Sequence, residues 1–176
     1  MPLELELERK MDLYSDYLLK PAYVYVKDRQ VAEDVVQEVF IQYYFSKSYT
    51  EHGKLKSYLT TATVNRCKNY LKSWAYRKLQ LKATFAGRSM KGHDQLVQAD
   101  ERSHISKAIF ELQTNYRVVL YLFYYEEKRV LEIAETLHIP ESTVKTRLRT
   151  ARQLLKEKLP NDEWEVLRDE SFEGSI

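Results

Sequence analysis

One cysteine, Cys67, stands in a chain of 176 residues. That excludes an intramolecular disulfide and fits a reducing compartment. It also argues against a zinc site, which draws on closely spaced Cys and His pairs; the four histidines (His52, His93, His104 and His138) are scattered. Glycine and proline are scarce, four of each, and strand-like alternation is rare, so an all-α chain is expected. No charge-free run approaches the ~18 residues a membrane-crossing helix requires. The first residues, Met1 to Glu6, are acidic, unlike the basic start of a secretory leader. A cytoplasmic protein with no cofactor and no small-molecule substrate is the expectation.

The most informative absence is local. Between Gly53 and His93 there is no Asp or Glu, against ten Lys or Arg. Residues 1–52 carry six basic and ten acidic side chains, and residues 160–176 carry one and six. The net charge of +2 therefore hides an acidic start, a basic middle and an acidic tail. Tyr58, Tyr70, Trp74 and Tyr76 are threaded through the basic block. Cations that track phosphates, interleaved with rings on which bases stack, suit nucleic acid, single strands included.

Hydrophobic period and punctuation divide the chain into two small helical domains joined by a flexible linker. The expected boundaries are 1–80, a linker at 81–102, a second domain at 103–160 and an acidic tail at 161–176. In the first domain, Leu3, Leu7, Met11, Tyr14 and Leu18 recur at helical spacing. Pro21 is expected to interrupt that helix, with a short one following over 22–27. The spacing predicts a helix from Arg29 to Phe45 with Val31, Val35, Val39, Phe40 and Tyr43 inward. The acidic face formed by Glu33, Asp34, Gln37 and Glu38 repels phosphate and suits either a basic protein surface or plain solvent.

A further helix is predicted over 55–81, with Leu55, Leu59, Ala62, Arg66, Asn69 and Ser73 near one face. Tyr58, Thr61, Asn65, Lys68 and Lys72 lie on an adjoining polar strip. Asn65 and Asn69, one turn apart, could bond a base edge or a buried partner.

In the second domain, Ser103 and Thr114 read as caps of two helices, the first with Ile105, Ile109 and Leu112 inward. Tyr116, Val119, Leu120, Leu122, Phe123 and Tyr124 supply the second helix's core. A helix over 130–137, a turn at His138-Ile139-Pro140 and a longer helix over 141–159 form a helix-turn-helix. Val144, Leu148, Ala151, Leu155 and Leu159 are expected inside. Ser142, Thr143, Lys145, Thr146, Arg149 and Arg152 are left outside, where hydroxyls and cations meet base edges and phosphates. The acidic tail could form a short helix or stay disordered, and its charge suggests that it screens the basic helix before it when polymerase is absent.

Two strings carry a resemblance. Ala32-Glu33-Asp34-Val35-Val36-Gln37-Glu38-Val39-Phe40, with Leu55-Lys56-Ser57-Tyr58-Leu59 and Val64 to Leu71, resembles the first domain of extracytoplasmic-function sigma factors. Glu132 to Leu137, with Ser142-Thr143-Val144-Lys145-Thr146-Arg147-Leu148 and Ala151-Arg152, is similar to their minus-thirty-five domain. The resemblance implies that Asp34, Gln37 and Glu38 contact core RNA polymerase. It implies that the loop at 47–54, with Lys54, Tyr58, Asn65, Lys68, Asn69 and Lys72, handles the melted minus-ten strand. Ser142, Thr143, Lys145, Thr146, Arg149 and Arg152 would read the minus-thirty-five duplex. Family members are commonly held by an anti-sigma partner.

The sequence departs from the family pattern at Tyr58 (often Trp), Asn69 (often Asp), Gln113 (often Pro), Lys128 (often Gly) and Thr150 (often Arg). Two other readings compete: a helix-turn-helix regulator binding duplex operators on its own, and a recombinase or nuclease targeted by the same motif. The acidic helix, with no obvious sensor domain or heptad dimer seam, weighs against the first. The lack of carboxylates in the basic block weighs against the second.

Overall fold

The computed structural model describes residues 3–46, 54–86 and 104–167. Among these every regular element is an α-helix: α1 (Leu3–Val26), α2 (Arg29–Phe45), α3 (Leu55–Lys72), α4 (Trp74–Ala86), α5 (His104–Glu111), α6 (Thr114–Tyr124), α7 (Val130–Leu137), α8 (Glu141–Lys158) and α9 (Asn161–Leu167). Two units are formed, residues 1–93 and 94–176.

In the first unit α1 packs against both α2 and α3, and these pack on each other. The expected break at Pro21 does not occur, and α1 runs straight through it. Proline removes one hydrogen-bond donor and crowds the preceding turn, at a cost of about 3 kcal/mol. All six residues from Pro21 to Val26 are buried, and that burial offsets it, since each large apolar side chain contributes ~1.5–3 kcal/mol. Lys27, left-handed at φ 55°, ends α1. Asp28 then caps α2 by accepting from the Val31 amide at 3.0 Å. The inner face of α2 is Ala32, Val35, Val36, Val39 and Phe40, while Val31 and Tyr43 are only half-buried.

The helix expected over 55–81 is two helices. Ser73 breaks it, with ψ 153°, and its Oγ accepts from the Tyr76 amide at 3.4 Å, starting α4. Serine at that position is a cap signal hidden within an unbroken helical pattern. α4 continues to Ala86, six residues into the stretch expected to be linker. Residues 87–103, with the rest of that stretch and the Ser103 cap, lie outside the described residues.

The buried face of α3 also differs from expectation: Leu55, Leu59, Thr60, Thr63, Val64 and Cys67, with Arg66 and Asn69 exposed and Ala62 and Ser73 half-buried. Two threonines go inside because each hydroxyl bonds a carbonyl four residues back, Thr60 to Lys56 at 2.9 Å and Thr63 to Leu59 at 2.8 Å. A satisfied hydroxyl removes most of the penalty for burying a polar group.

In the second unit α8 packs against α5, α6, α7 and α9. Its inner residues Val144, Leu148, Ala151 and Leu155, with Leu159 at its end, are buried as the spacing requires. Thr114 is the first residue of α6 rather than its cap, which is Gln113. Tyr116, Phe123 and Tyr124 are half-buried; the core of α6 is Val118 to Leu122. Beside it lies Arg117, 2% exposed. Its guanidinium donates to the carbonyls of Leu112 (2.6 Å) and Phe110 (3.5 Å) and to Thr114 Oγ1 (3.2 Å), so it caps the end of α5.

The turn between α7 and α8 is set by His138 at φ 53°. Ile139 N–H donates to the Ala134 carbonyl at 3.1 Å, the closing bond of a Schellman end. At the start of α7 the Arg129 amide donates to Glu132 Oε2 at 2.8 Å, which holds the Glu132 carboxyl below its usual range.

Candidate nucleic-acid interface

The buried residues of α3 fix which side faces water. At 3.6 residues per turn, Lys54, Tyr58, Asn65, Lys68, Asn69 and Lys72 fall within an arc of about 100° opposite that buried face. Lys54, Asn69 and Lys72 are exposed, and Tyr58, Asn65 and Lys68 are half-buried. Of the loop at 47–54 only Lys54 is among the described residues.

Tyr58 is held by a relay across three helices. Lys10 on α1 donates to Glu6 at 2.7 Å and to the Tyr43 hydroxyl at 2.8 Å, and the bond to Lys10 lowers the Glu6 pKa. The Tyr43 ring on α2 lies 6.3 Å from the Tyr58 ring, tilted 56°. Below it Lys56 sits 4.0 Å over the Tyr17 ring, a pairing the sequence does not reveal because α1 is distant in the chain. At the far end of α3, Tyr70 and Tyr76 meet edge-on at 5.8 Å across the Ser73 break. Burial pushes the Tyr70 hydroxyl upward, helped by the charge of Asp28.

On α2, Asp34, Gln37 and Glu38 are exposed together. Ile41 and Phe45, also exposed at 56% and 75%, continue the line of Asp34 and Glu38 at spacings of three and four. Glu38 pairs with Arg66 of α3, while Glu33 pairs with Arg29 at 2.8 Å. The acidic face and the basic face thus belong to adjacent helices, joined by the exposed Glu38–Arg66 ion pair.

On α8, Ser142, Thr146 and Arg149 are exposed, while Thr143 and Lys145 are half-buried. Arg152 is half-buried as well, and its guanidinium lies 5.6 Å from the ring of Trp164 on α9. Ser142, Thr143 and Thr146 also line a groove shared with Asn115 and Tyr116 at the start of α6, and with Arg147 and Thr150. Sequence reasoning missed that wall, since nothing in the period of α6 says which helix its first turn abuts. Among the described residues no group of three or more His, Cys, Asp or Glu could hold a metal ion, and no helix is long and apolar enough to cross a membrane.

Residues 11–77 match the family Sigma-70 region 2, and residues 104–155 match Sigma-70, region 4. The two matches fall on separate units, in family order. The chain belongs to the extracytoplasmic-function sigma factors of the sigma-70 family. It is 29% identical over 161 residues to ECF RNA polymerase sigma factor SigW of Bacillus subtilis, spanning 85% of this chain and 86% of that one. Over 132 residues it is 28% identical to SigM of the same organism, 74% and 80% of the two chains. The sigma factor RpoE of Bartonella quintana, solved in complex with the anti-sigma factor NepR, shares the fold at TM-score 0.60 and 19% identity, covering 89% of this chain and 98% of that one. The region 4 match spans α5 to α8, with the helix-turn-helix of α7 and α8 inside it, and the region 2 match runs from within α1 through α3 to the first turn of α4.

Proposed function

We propose that this sigma factor docks on core RNA polymerase through Asp34, Gln37 and Glu38 and holds the melted minus-ten strand on the outer face of α3. The promoter-specificity role itself follows from the family: a sigma factor binds core polymerase and directs initiation at minus-ten and minus-thirty-five elements. The residue assignments rest on one observation. Within a single unit, α2 offers exposed carboxylates, while α3 carries no carboxylate and presents cations, amides, hydroxyls and a ring. Carboxylates suit a basic protein surface, and a surface without them suits phosphate.

Lys54, Lys68 and Lys72 track the backbone of the strand, Tyr58 stacks on a base, and Asn65 and Asn69 bond base edges. No covalent step is needed, because captured bases offset the stacking lost on opening. Ser142, Thr143, Lys145, Thr146 and Arg149 enter the major groove of the minus-thirty-five element. The chain works in the cytoplasm, by binding rather than by catalysis, and an anti-sigma protein is its expected inhibitor, as NepR is found with RpoE.

Run-off transcription with core polymerase tests this. Adding the wild-type chain should produce promoter-specific transcripts. Reversing charge at Asp34 and Glu38 should remove them and weaken core binding at least tenfold, a loss of about 1.4 kcal/mol, while helical content stays unchanged. Full transcription from that variant overturns the docking assignment.

A further inference from the structure

We propose that α9 is a built-in competitor of duplex DNA, latched onto the recognition helix α8 by Trp164 stacked over Arg152. The inference rests on the reading that α8 is the duplex-facing helix, and it names what governs access to it.

Three observations converge. Arg152, read from the sequence as an outward phosphate contact, is half-buried with its guanidinium 5.6 Å from the Trp164 ring centroid. Such a ring attracts a cation through its quadrupole and covers part of the surface that a phosphate would otherwise reach. Next, the connection is short and directed: Leu159 is buried, and the Trp164 amide donates to the Pro160 carbonyl at 3.0 Å. α9 therefore starts as soon as α8 ends and packs on it.

The third is charge. α9 carries Asp162, Glu163 and Glu165 and no basic residue, while α8 carries Lys145, Arg147, Arg149 and Arg152. Arg152 follows Arg149 by three positions and Lys145 by seven, so the three share a flank of α8. A ring seated on Arg152 keeps the acidic helix α9 packed on α8, next to the Arg152 end of that flank. Phosphate and α9 then compete for the same cations, and duplex binding is weakened until α9 lifts.

The full-length chain and a short duplex of mixed sequence test this without knowledge of the promoter. Trp164→Ala should bind the duplex several-fold more tightly at low salt. Its plot of log affinity against log salt should steepen by about one unit, as one more cation meets phosphate. In an Arg152→Ala background, the Trp164 substitution should give no gain.

Equal or weaker binding by Trp164→Ala overturns the latch. Arg149→Ala in the same assay separates the two ideas. If it leaves duplex binding unchanged, α8 is not the DNA-facing helix and the underlying reading fails; if it weakens binding and Trp164→Ala still gives no gain, only the latch fails. A second measurement leaves α9 intact. With Trp74→Phe, Trp164 is the sole tryptophan. Its emission should move to longer wavelength when saturating duplex displaces it into water, and an unchanged spectrum overturns the proposal.

Discussion

At the scale of single residues, Arg117 shows how a charge can belong inside. It is buried, but its guanidinium takes the carbonyls that α5 leaves unpaired at its end. Arginine suits this because its fork reaches several acceptors at once and stays protonated. Arg117→Ala should therefore lower stability by about 2–3 kcal/mol, as hydrogen bonds from a charged donor are lost and buried carbonyls stay unpaired. Lysine at 117 should recover only part of that loss; urea denaturation of the three chains checks both.

Cys67 illustrates the opposite case. It is buried, and desolvation pushes its thiol from 9.0 up to about 12. Burial disfavours the thiolate, so the fold holds the proton more tightly than the unfolded chain does. The resulting stability is complete below pH 9.0 and is lost as pH rises from there towards about 12. An alkylating reagent at mildly alkaline pH should label Cys67 far more slowly in the native chain than in denaturant. Equal rates would refute the burial argument.

At the scale of elements, the turn of the helix-turn-helix stores a small strain. His138 occupies the left-handed region, where a side chain costs about 1 kcal/mol and glycine costs nothing. His138→Gly should raise stability by about 0.5–1 kcal/mol, read as a higher unfolding midpoint, with the angle between α7 and α8 preserved. The α3–α4 break works by similar local chemistry, since Ser73 ends one helix and caps the next. Pro21 behaves differently. There the local rule for a break is overridden because the turns around it pack against two neighbouring helices.

At the scale of the whole molecule, charge is segregated by helix. The carboxylates of α2 and the cations of α3 meet at Glu38 and Arg66, both side chains about half exposed. An exposed pair of this kind contributes at most about 1 kcal/mol, so a stronger partner for either residue can break it at little cost. On the second unit, Arg149→Ala should cost on the order of 1–3 kcal/mol in promoter binding if it bonds a base. That loss should appear on duplexes bearing the minus-thirty-five element and spare core polymerase binding, measured by titration of each.

Much of this was legible in the chain. The bounds of α2 and α7 and the inner residues of α8 follow from hydrophobic period and punctuation, and the order of the two family segments from the resemblance of their motifs. These signals are local: a helix declares its inner stripe within its own four turns, and a carboxylate-free block declares its charge without reference to anything else. The tertiary structure decided which side of α3 is buried, that Pro21 would be tolerated, that Arg117 would go inside, and that Trp164 would cover Arg152. In each case the deciding partner lies on another helix, or on a chain segment whose direction one residue of turn geometry sets. A side chain's neighbours across a packed interface are a property of three dimensions, and no window along the sequence contains them.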